Sequence, residues 1–379
     1  MNIFTKGELL KLTVPVKLDT SDIQHQILYE TLTKVNEACN FIAEKSFEAK
    51  IFRQFDIHKS FYYAAREVSN LSSQVIIRCI SKVANSYKLN KKTQPKFKSI
   101  GAIAFDSRIL TIKSDKQLIS IWTPLGRIKI NYICGEHQKS LLKFQKGECD
   151  LILKNKQFYL YCPCDIPEDT PIESLGILGV DLGIKNIATT SLGDNYSGAR
   201  LNSLRKQHAK LRAKLQAKGT KSAKCLLKKR SKKERRFATD VNHVISKKIV
   251  AIAKHTKSTI ALEKLKGIGK RTRVRKQQRA TFSNWSFYQL QQFIEYKAKL
   301  SGITVVYVKP NNTSRECPEC GNIEKGNRKS RDEFKCKSCG LAGPADYIAA
   351  INIASRAVVN QPNVVVRTNY KPPTKVGGN

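Results

Sequence analysis

Two short motifs, Cys317-Pro-Glu-Cys320 and Cys336-Lys-Ser-Cys339, stand fifteen residues apart. Four thiolates at this spacing close a tetrahedral shell around zinc: each C-x2-C turn aims two sulfurs at one point, and the intervening loop brings the second pair opposite. With all four positions taken by sulfur no coordination site is left for a substrate, so a zinc held here is structural. The alternative is four reduced, unliganded cysteines. Seven residues beyond Cys339 stands Asp346, whose hard oxygen ligand suits magnesium and not zinc–thiolate chemistry.

Two further carboxylates end apolar runs. Asp181 closes ILGVD and Glu263 closes STIALE, the pattern by which a buried strand delivers an acid to a sheet edge. If the two strands are neighbours and a helix opened by Asp346 packs on them, three acids meet and repel one another unless divalent cations bridge them. Two magnesium ions about 3.5–4 Å apart would then activate a water and stabilise the leaving oxygen of a phosphodiester. Taken singly, each acid reads more readily as a solvated strand end or a helix cap; it is the three together, in so basic a chain beside the cysteine motifs, that point to metal. The six histidines, His25, His58, His137, His208, His243 and His255, show no pairing with a cysteine or serine that would make a nucleophile.

The charge balance selects the partner. Sixty-nine Lys and Arg against 30 Asp and Glu leave +39 over 379 residues, a self-repulsion that a polyanion relieves, and nucleic acid fits best. An anionic membrane is the competing polyanion. No run of 18 apolar residues exists and the basic segments do not flank one anchor, so the expectation is no membrane association. The N-terminus has no continuous apolar segment and no small-residue cleavage site, so export is not expected either. Cys39, Cys79, Cys134, Cys149, Cys162, Cys164 and Cys225 show no framework spacing and read as reduced cytosolic residues. The C-x-C pair Cys162/Cys164 suits packing in a core or edge strand better than metal binding.

Periodicity supplies the elements that must position these groups. Alternation over 10–17 predicts a strand. Helical spacing over 22–49, 57–68 and 71–87 predicts a small helical unit, and the stretch 100–164 reads as β-hairpins, the last turning at Lys154–Gln157. The strand at 10–17 would join these hairpins, making the helices an insertion in a small antiparallel barrel. DIPEDTPIES reads as a linker. Residues 200–236 and 238–254 predict two antiparallel helices, apolar on one face and strongly positive on the other, with His208 and His243 at packing or nucleic-acid-facing positions. A basic stretch at 271–279, a helix over WSFYQLQQFIEYKAKL, a strand ITVVYVKP, the cysteine motifs and a helix AAINIASRAV complete the order.

The blocks GVDLGIKNIATTS, NHVISKKIV, IALEKLKGI, WSFYQLQQFIEYKA, VKPNNTSRECPECG and CKSCGLAGPADYIAAINIA resemble, in order, those of the TnpB proteins. These are RNA-guided endonucleases encoded by insertion sequences and related to type V CRISPR effectors. The resemblance covers roughly residues 177–356; the N-terminal 170 residues are similar only in layout.

It implies a multidomain fold, α/β plus β. A wedge-like β-barrel (1–20 and 96–172) carries an inserted helical recognition domain (21–95). An RNase H-like RuvC nuclease domain (173–312 and 342–356) carries a zinc ribbon (313–341), and a tail (357–379) follows. It implies an RNA-guided DNA endonuclease, with Asp181, Glu263 and Asp346 as the catalytic acids on magnesium and Cys317, Cys320, Cys336 and Cys339 as the zinc ligands. The partners implied are a transposon-derived guide RNA and a double-stranded DNA target next to a short adjacent motif, in a prokaryotic cytoplasm close to the nucleoid. Monomeric and dimeric assembly on the RNA both stay open.

The family commonly has Asn two residues after the third acid, where this chain has Ile348. The basic segments are expected to contact phosphates of the guide and the heteroduplex, with Arg271, Arg273 and Arg275 along the path of the cut strand. Trp285 and Tyr288 fit the core of an amphipathic helix better than base stacking. Three rival readings stay open: a nuclease-inactive RNA-guided DNA-binding repressor, which would lack one or more of the acids; a compact type V CRISPR effector; and a DNA-joining transposase, which would need no RNA.

Overall fold

The computed structural model describes residues 9–265, 287–358 and 365–366. Arg271, Arg273, Arg275 and Trp285 lie outside the described residues, as does most of the tail. The chain divides into two compact units, one from Glu8 to Pro167 and one from Glu168 onward.

Among the described residues of the first unit, seven strands form one antiparallel sheet, a nearly closed barrel. They are β1 (Leu9–Asp19), β2 (Ile103–Phe105), β3 (Leu110–Lys113), β4 (Leu118–Thr123), β5 (Gly126–Ile133), β6 (Cys149–Lys154) and β7 (Gln157–Pro167), in the order β2-β6-β7-β1-β5-β4-β3. β1 lies between β7 and β5, with Val14 opposite Cys162 and Val16 opposite Leu160. Strict alternation puts Val14, Val16, Leu18, Leu160, Cys162 and Cys164 in the core, the period-2 consequence of one wet and one dry face. Cys162 and Cys164 are thus core residues of a central strand, where the Cys149 hydrogen bond and burial raise the Cys162 thiol and burial raises that of Cys164. The β6–β7 turn uses Asn155 and Lys156, both with positive φ, as a two-residue hairpin of matching twist requires.

Between β1 and β2 the chain forms α1 (Asp22–Glu48), α2 (Gln54–Ser69) and α3 (Ser73–Leu89). Ser21 opens α1 in a reciprocal capping box with Gln24, which satisfies two otherwise orphaned amides. Leu28, Leu32, Val35, Cys39 and Ile42 of α1 and Val75, Ile76, Cys79, Ile80 and Val83 of α3 are buried. A short α4 (Glu136–Leu142) precedes β6.

The second unit is a mixed sheet of β8 (Gly176–Asp181), β9 (Asn186–Thr190), β10 (Asn195–Ser197), β11 (Ser258–Glu263) and β12 (Val305–Val308) in the order β10-β9-β8-β11-β12. β8, β11 and β12 run parallel, β9 is antiparallel to both of its neighbours β8 and β10, and β15 (Val365–Val366) pairs in parallel with the start of β8. The helices are α5 (Ala199–Lys218), α6 (Lys221–His255), α7 (Phe287–Leu300) and α8 (Ala345–Val358). β8 and β11 are buried on both faces, which is why they read as continuous apolar runs. Leu178, Val180, Ile260 and Leu262 face α6 and α7 through Ile249, Leu290 and Ile294. Ile177 and Ala261 face α8 through Ile353, Ala354 and Ala357.

Two details differ from the expectation drawn above. The basic hairpin turns at Gly219, not near residue 237. Gly219 takes a left-handed φ of 64° at the end of α5, and the Thr220 side chain caps α6; this Gly-Thr stop-and-start outweighs the uninterrupted charge. Tyr288 is 60% exposed: the buried stripe of α7 is Leu290, Gln291, Ile294 and Ala298, and Tyr288 falls on the opposite side. Among the described residues no helix is long and apolar enough to cross a membrane.

Candidate metal centres

Register brings the first two acids together. In the parallel pair β8/β11, Val180 lies opposite Leu262, so the following residues, Asp181 and Glu263, end adjacent strands side by side. Alternation places both on the face that carries Ile177 and Ala261, the face covered by α8. That helix comes very close because β8 has glycine at the crossing: a Cβ on Gly179 would stand 2.0 Å from the carbonyl oxygen of Ala350. One turn before Ala350, in the first turn of α8, is Asp346.

Two of the three acids, Asp346 and Glu263, are held by groups from other elements. Asn186 Nδ2, at the start of β9, donates to Asp346 Oδ2 at 2.9 Å. Arg328, in the cysteine-bearing insert, reaches Asp346 Oδ1 at 3.3 Å. Thr313 Oγ1 donates to Glu263 Oε1, and Gln291 Nε2 donates to the Glu263 backbone carbonyl at 2.6 Å. A cleft of about 510 Å³ opens beside Asp346, lined among others by Lys185, Asn186, Thr189, Asp332 and Tyr347.

Electrostatics shows what the acids lack. Burial, then the charges of Glu263 and Asp346, push Asp181 up to about 8, with Arg328 opposing. Burial also raises Glu263, against the Thr313 hydrogen bond and the charge of Arg356. Carboxylates held above their ordinary range beside other carboxylates mark a place short of positive charge. All-oxygen donors fit a hard divalent cation.

The cysteines are a different case. Their ligand atoms all lie within 4.8 Å of one another, and among the described residues no other group of three or more Cys, His, Asp or Glu residues gathers so tightly. The sulfurs of Cys317 and Cys339, and those of Cys320 and Cys336, are 3.5 Å apart. A tetrahedron with bonds of about 2.3 Å to zinc has sulfur–sulfur edges of about 3.8 Å, so the four residues fit zinc. Each knuckle closes on a left-handed glycine, Gly321 and Gly340, whose amides donate to the carbonyls of Cys317 and Cys336. β13 (Glu333–Lys335) pairs with β14 (Ala342–Pro344) beside them. Cys317, Phe334, Cys336 and Leu341 pack on Ala345 and Ile348 of α8. Ile348 is therefore an apolar anchor for the ribbon, and the polar tie from α8 falls to the buried Asn352, which donates to the carbonyls of Thr313 and Glu316 at 2.8 and 2.7 Å.

Sequence reasoning did not find Arg328, Asn186, Thr313 or Gln291. Arg328 is one cation among 69 Lys and Arg, and nothing local sets it apart. His243 stacks on Phe293 with ring centroids 3.9 Å apart, while the lysines and arginines of α5 and α6 are mostly exposed.

Comparison with known proteins adds to this geometry. Residues 162–273 match the family model described as a probable transposase, and residues 287–353 match the Cas12f1-like TNB domain. The chain is 34% identical over 265 residues to a CRISPR-associated endodeoxyribonuclease Cas12f1 of Sulfoacidibacillus thermotolerans, covering 65% of this chain and 60% of that protein. The chain spans about half the length of the curated Cas12f1 relatives it matches, 44% of another. A solved Cas12f1 chain, in a cryo-EM structure of the Cas12f1–sgRNA–target DNA complex, superimposes with a TM-score of 0.58 at 15% identity, covering 91% of this chain and 99% of that one. At that identity the likeness is one of fold, and the fold is that of a compact Cas12-type chain. A TnpB-like protein of Methanocaldococcus jannaschii is 31% identical over 244 residues, 64% of this chain and 83% of that protein. The chain belongs to the TnpB-like family.

Proposed function

We propose that the chain is an RNA-guided DNA endonuclease that hydrolyses phosphodiester bonds at Asp181, Glu263 and Asp346, with the second unit an RNase H-like RuvC domain. What supports the reading is that Asp181 and Glu263 end adjacent strands and that burial and the charges of Glu263 and Asp346 push Asp181 up to about 8. The three acids would hold magnesium, and magnesium bound there supplies an activated water and charge stabilisation for the leaving oxygen.

The chain's own groups orient that site. Asn186 and Arg328 fix both oxygens of Asp346, and Arg328 keeps a cation where a phosphate would arrive. The cleft beside Asp346 is lined by Tyr347 and by Lys185, which is paired with Asp332 at 2.5 Å and which a strand phosphate would have to draw from that pair. Zinc on Cys317, Cys320, Cys336 and Cys339 stiffens the ribbon that carries Arg328. The exposed cations of α5 and α6 suit the phosphates of a guide RNA and of its hybrid with target DNA, a charge-based recognition that leaves sequence to base pairing. The first unit takes the wedge and recognition roles, and a nucleoid-associated place in the cell follows from such partners. All three acids are present, which disfavours the nuclease-inactive repressor.

The test is reconstitution. The purified chain with its co-purifying RNA, sequenced to define the guide, should cut matched double-stranded DNA with magnesium and not without it. Glu263→Ala should bind the same DNA and leave it intact. Full cleavage by Glu263→Ala, or absence of any co-purifying RNA, would overturn the proposal.

A further inference from the structure

We infer that Thr313 is a positioning residue for Glu263, and that helix α8 sets the second acid through it as well as carrying the third. This inference rests on the magnesium reading above. Thr313 is 3% exposed, and its hydroxyl donates to Glu263 Oε1; its one other acceptor is the Pro310 carbonyl at 3.4 Å, a marginal contact. A hydroxyl carries one proton, so Oε1 is tied and Oε2 is left for a cation. A carboxylate ligand oriented by a hydrogen bond on its other oxygen is the usual design of an outer shell around a metal.

The threonine is held from α8. Asn352 Nδ2 donates to the carbonyls of Thr313 and Glu316. Four residues on, Arg356 donates from Nη1 to the Lys309 carbonyl at 3.0 Å and from Nε to Glu316 Oε2 at 3.1 Å. Residues spaced by four lie on one side of a helix, so a single side of α8 grips the loop 309–316 at both ends. The β-branched side chain of threonine has little rotational freedom of its own, and the gripped backbone therefore fixes where its hydroxyl points. Serine would keep the donor, and valine would keep the shape without it.

The experiment compares wild type, Thr313→Val and Thr313→Ser in the intact chain with its RNA. Magnesium binding is read by calorimetry before DNA is added, and cleavage is then followed as a function of magnesium concentration. Thr313→Val should bind magnesium about 10-fold more weakly and cut about 10–100-fold more slowly, while guided DNA binding is unchanged. Thr313→Ser should restore both quantities to within about threefold. Wild-type magnesium affinity in Thr313→Val, or a serine variant as impaired as the valine one, would overturn the inference and leave the nuclease reading standing. A wild-type protein that neither binds magnesium nor cuts would remove both. Should Thr313→Val not fold, Thr313→Ala, which removes the hydroxyl without adding a methyl group, carries the same comparison.

Discussion

The second unit carries two ligand sets that were assembled in opposite ways. The four cysteines come from two local turns and already sit with their sulfurs 3.5 Å apart in pairs; each turn is closed by its own glycine. The three carboxylates come from two strands and a helix far apart in sequence, and the charges of Glu263 and Asp346 reach Asp181 only because β8, β11 and α8 pack. The thiolate set sits beside the small core of Phe334, Leu341 and Ile348, and a zinc held there would act as a folding device. The carboxylate set is buried and short of positive charge: burial and the charges of Glu263 and Asp346 push Asp181 up to about 8, and on the proposed reading a cation would relieve it. Removing either metal should therefore have different consequences, and four measurements separate them.

The largest effect is expected from Asp181→Asn, which removes charge and keeps shape. Magnesium-dependent cleavage should fall by at least ~10³-fold, the scale on which loss of a group acting in the transition state is felt. Zinc content, unfolding behaviour without magnesium and guided DNA binding should survive. A variant that still cuts well would dissolve the distinction, because the carboxylate set would then be scaffold like the cysteines.

Gly179→Ala strikes at the packing that assembles the acids. The added Cβ meets the Ala350 carbonyl at 2.0 Å, so α8 must shift away from β8 and carry Asp346 with it. Overpacking of this kind costs about 1–3 kcal/mol, and a displacement of about 1 Å at a reacting group costs on the order of 10²-fold in rate. The ribbon should keep its zinc. Metal analysis together with a cleavage assay checks both halves of the expectation.

Cys336→Ser does the converse. Cys336 is 2% exposed and shares a small core with Phe334 and Ile348, so losing zinc should loosen residues 313–341 to limited proteolysis while the sheet holds. Cleavage should drop by about 10–100-fold, because Arg328 loses its anchorage. Unchanged protease resistance in the zinc-free variant would mean the ribbon does not depend on its metal.

The same contrast explains what could be read from residues alone. The cysteine set was legible because its geometry is local and its spacing is its chemistry. The strands ending at Asp181 and Glu263 were legible as apolar runs stopping on an acid, since β8 and β11 are dry on both faces. The turn at Gly219 was hidden by a run of lysines and arginines that favours helix on either side, and the short β9–β10 hairpin carries too few apolar residues to announce itself. Arg328, Asn186 and Thr313 act through positions fixed by tertiary packing, and a hydrogen bond across the fold leaves no trace in spacing. The packing of Ile348 against Phe334 and Leu341 is visible only when the ribbon is seated on α8.

The smallest effect, and the one that isolates the charge on Asp181, is a pH trend without magnesium. The folded state keeps a proton on Asp181 up to about 8, whereas an unfolded chain releases it near an ordinary carboxylate value of about 4. Between those limits the folded form binds more protons, so stability must fall as pH rises from about 4 toward 8. Thermal unfolding of the second unit in magnesium-free buffer should drift downward across that window, by about 2–4 °C for each kcal/mol lost. Asp181→Asn should flatten most of the drift, because no charge has to be buried, and added magnesium should flatten it in wild type, because a bound cation favours the ionised acid. A wild-type slope of the opposite sign would mean that the acids are already neutralised by Arg328 and Arg356, and that the carboxylate set, like the cysteines, is complete within the protein's own fold.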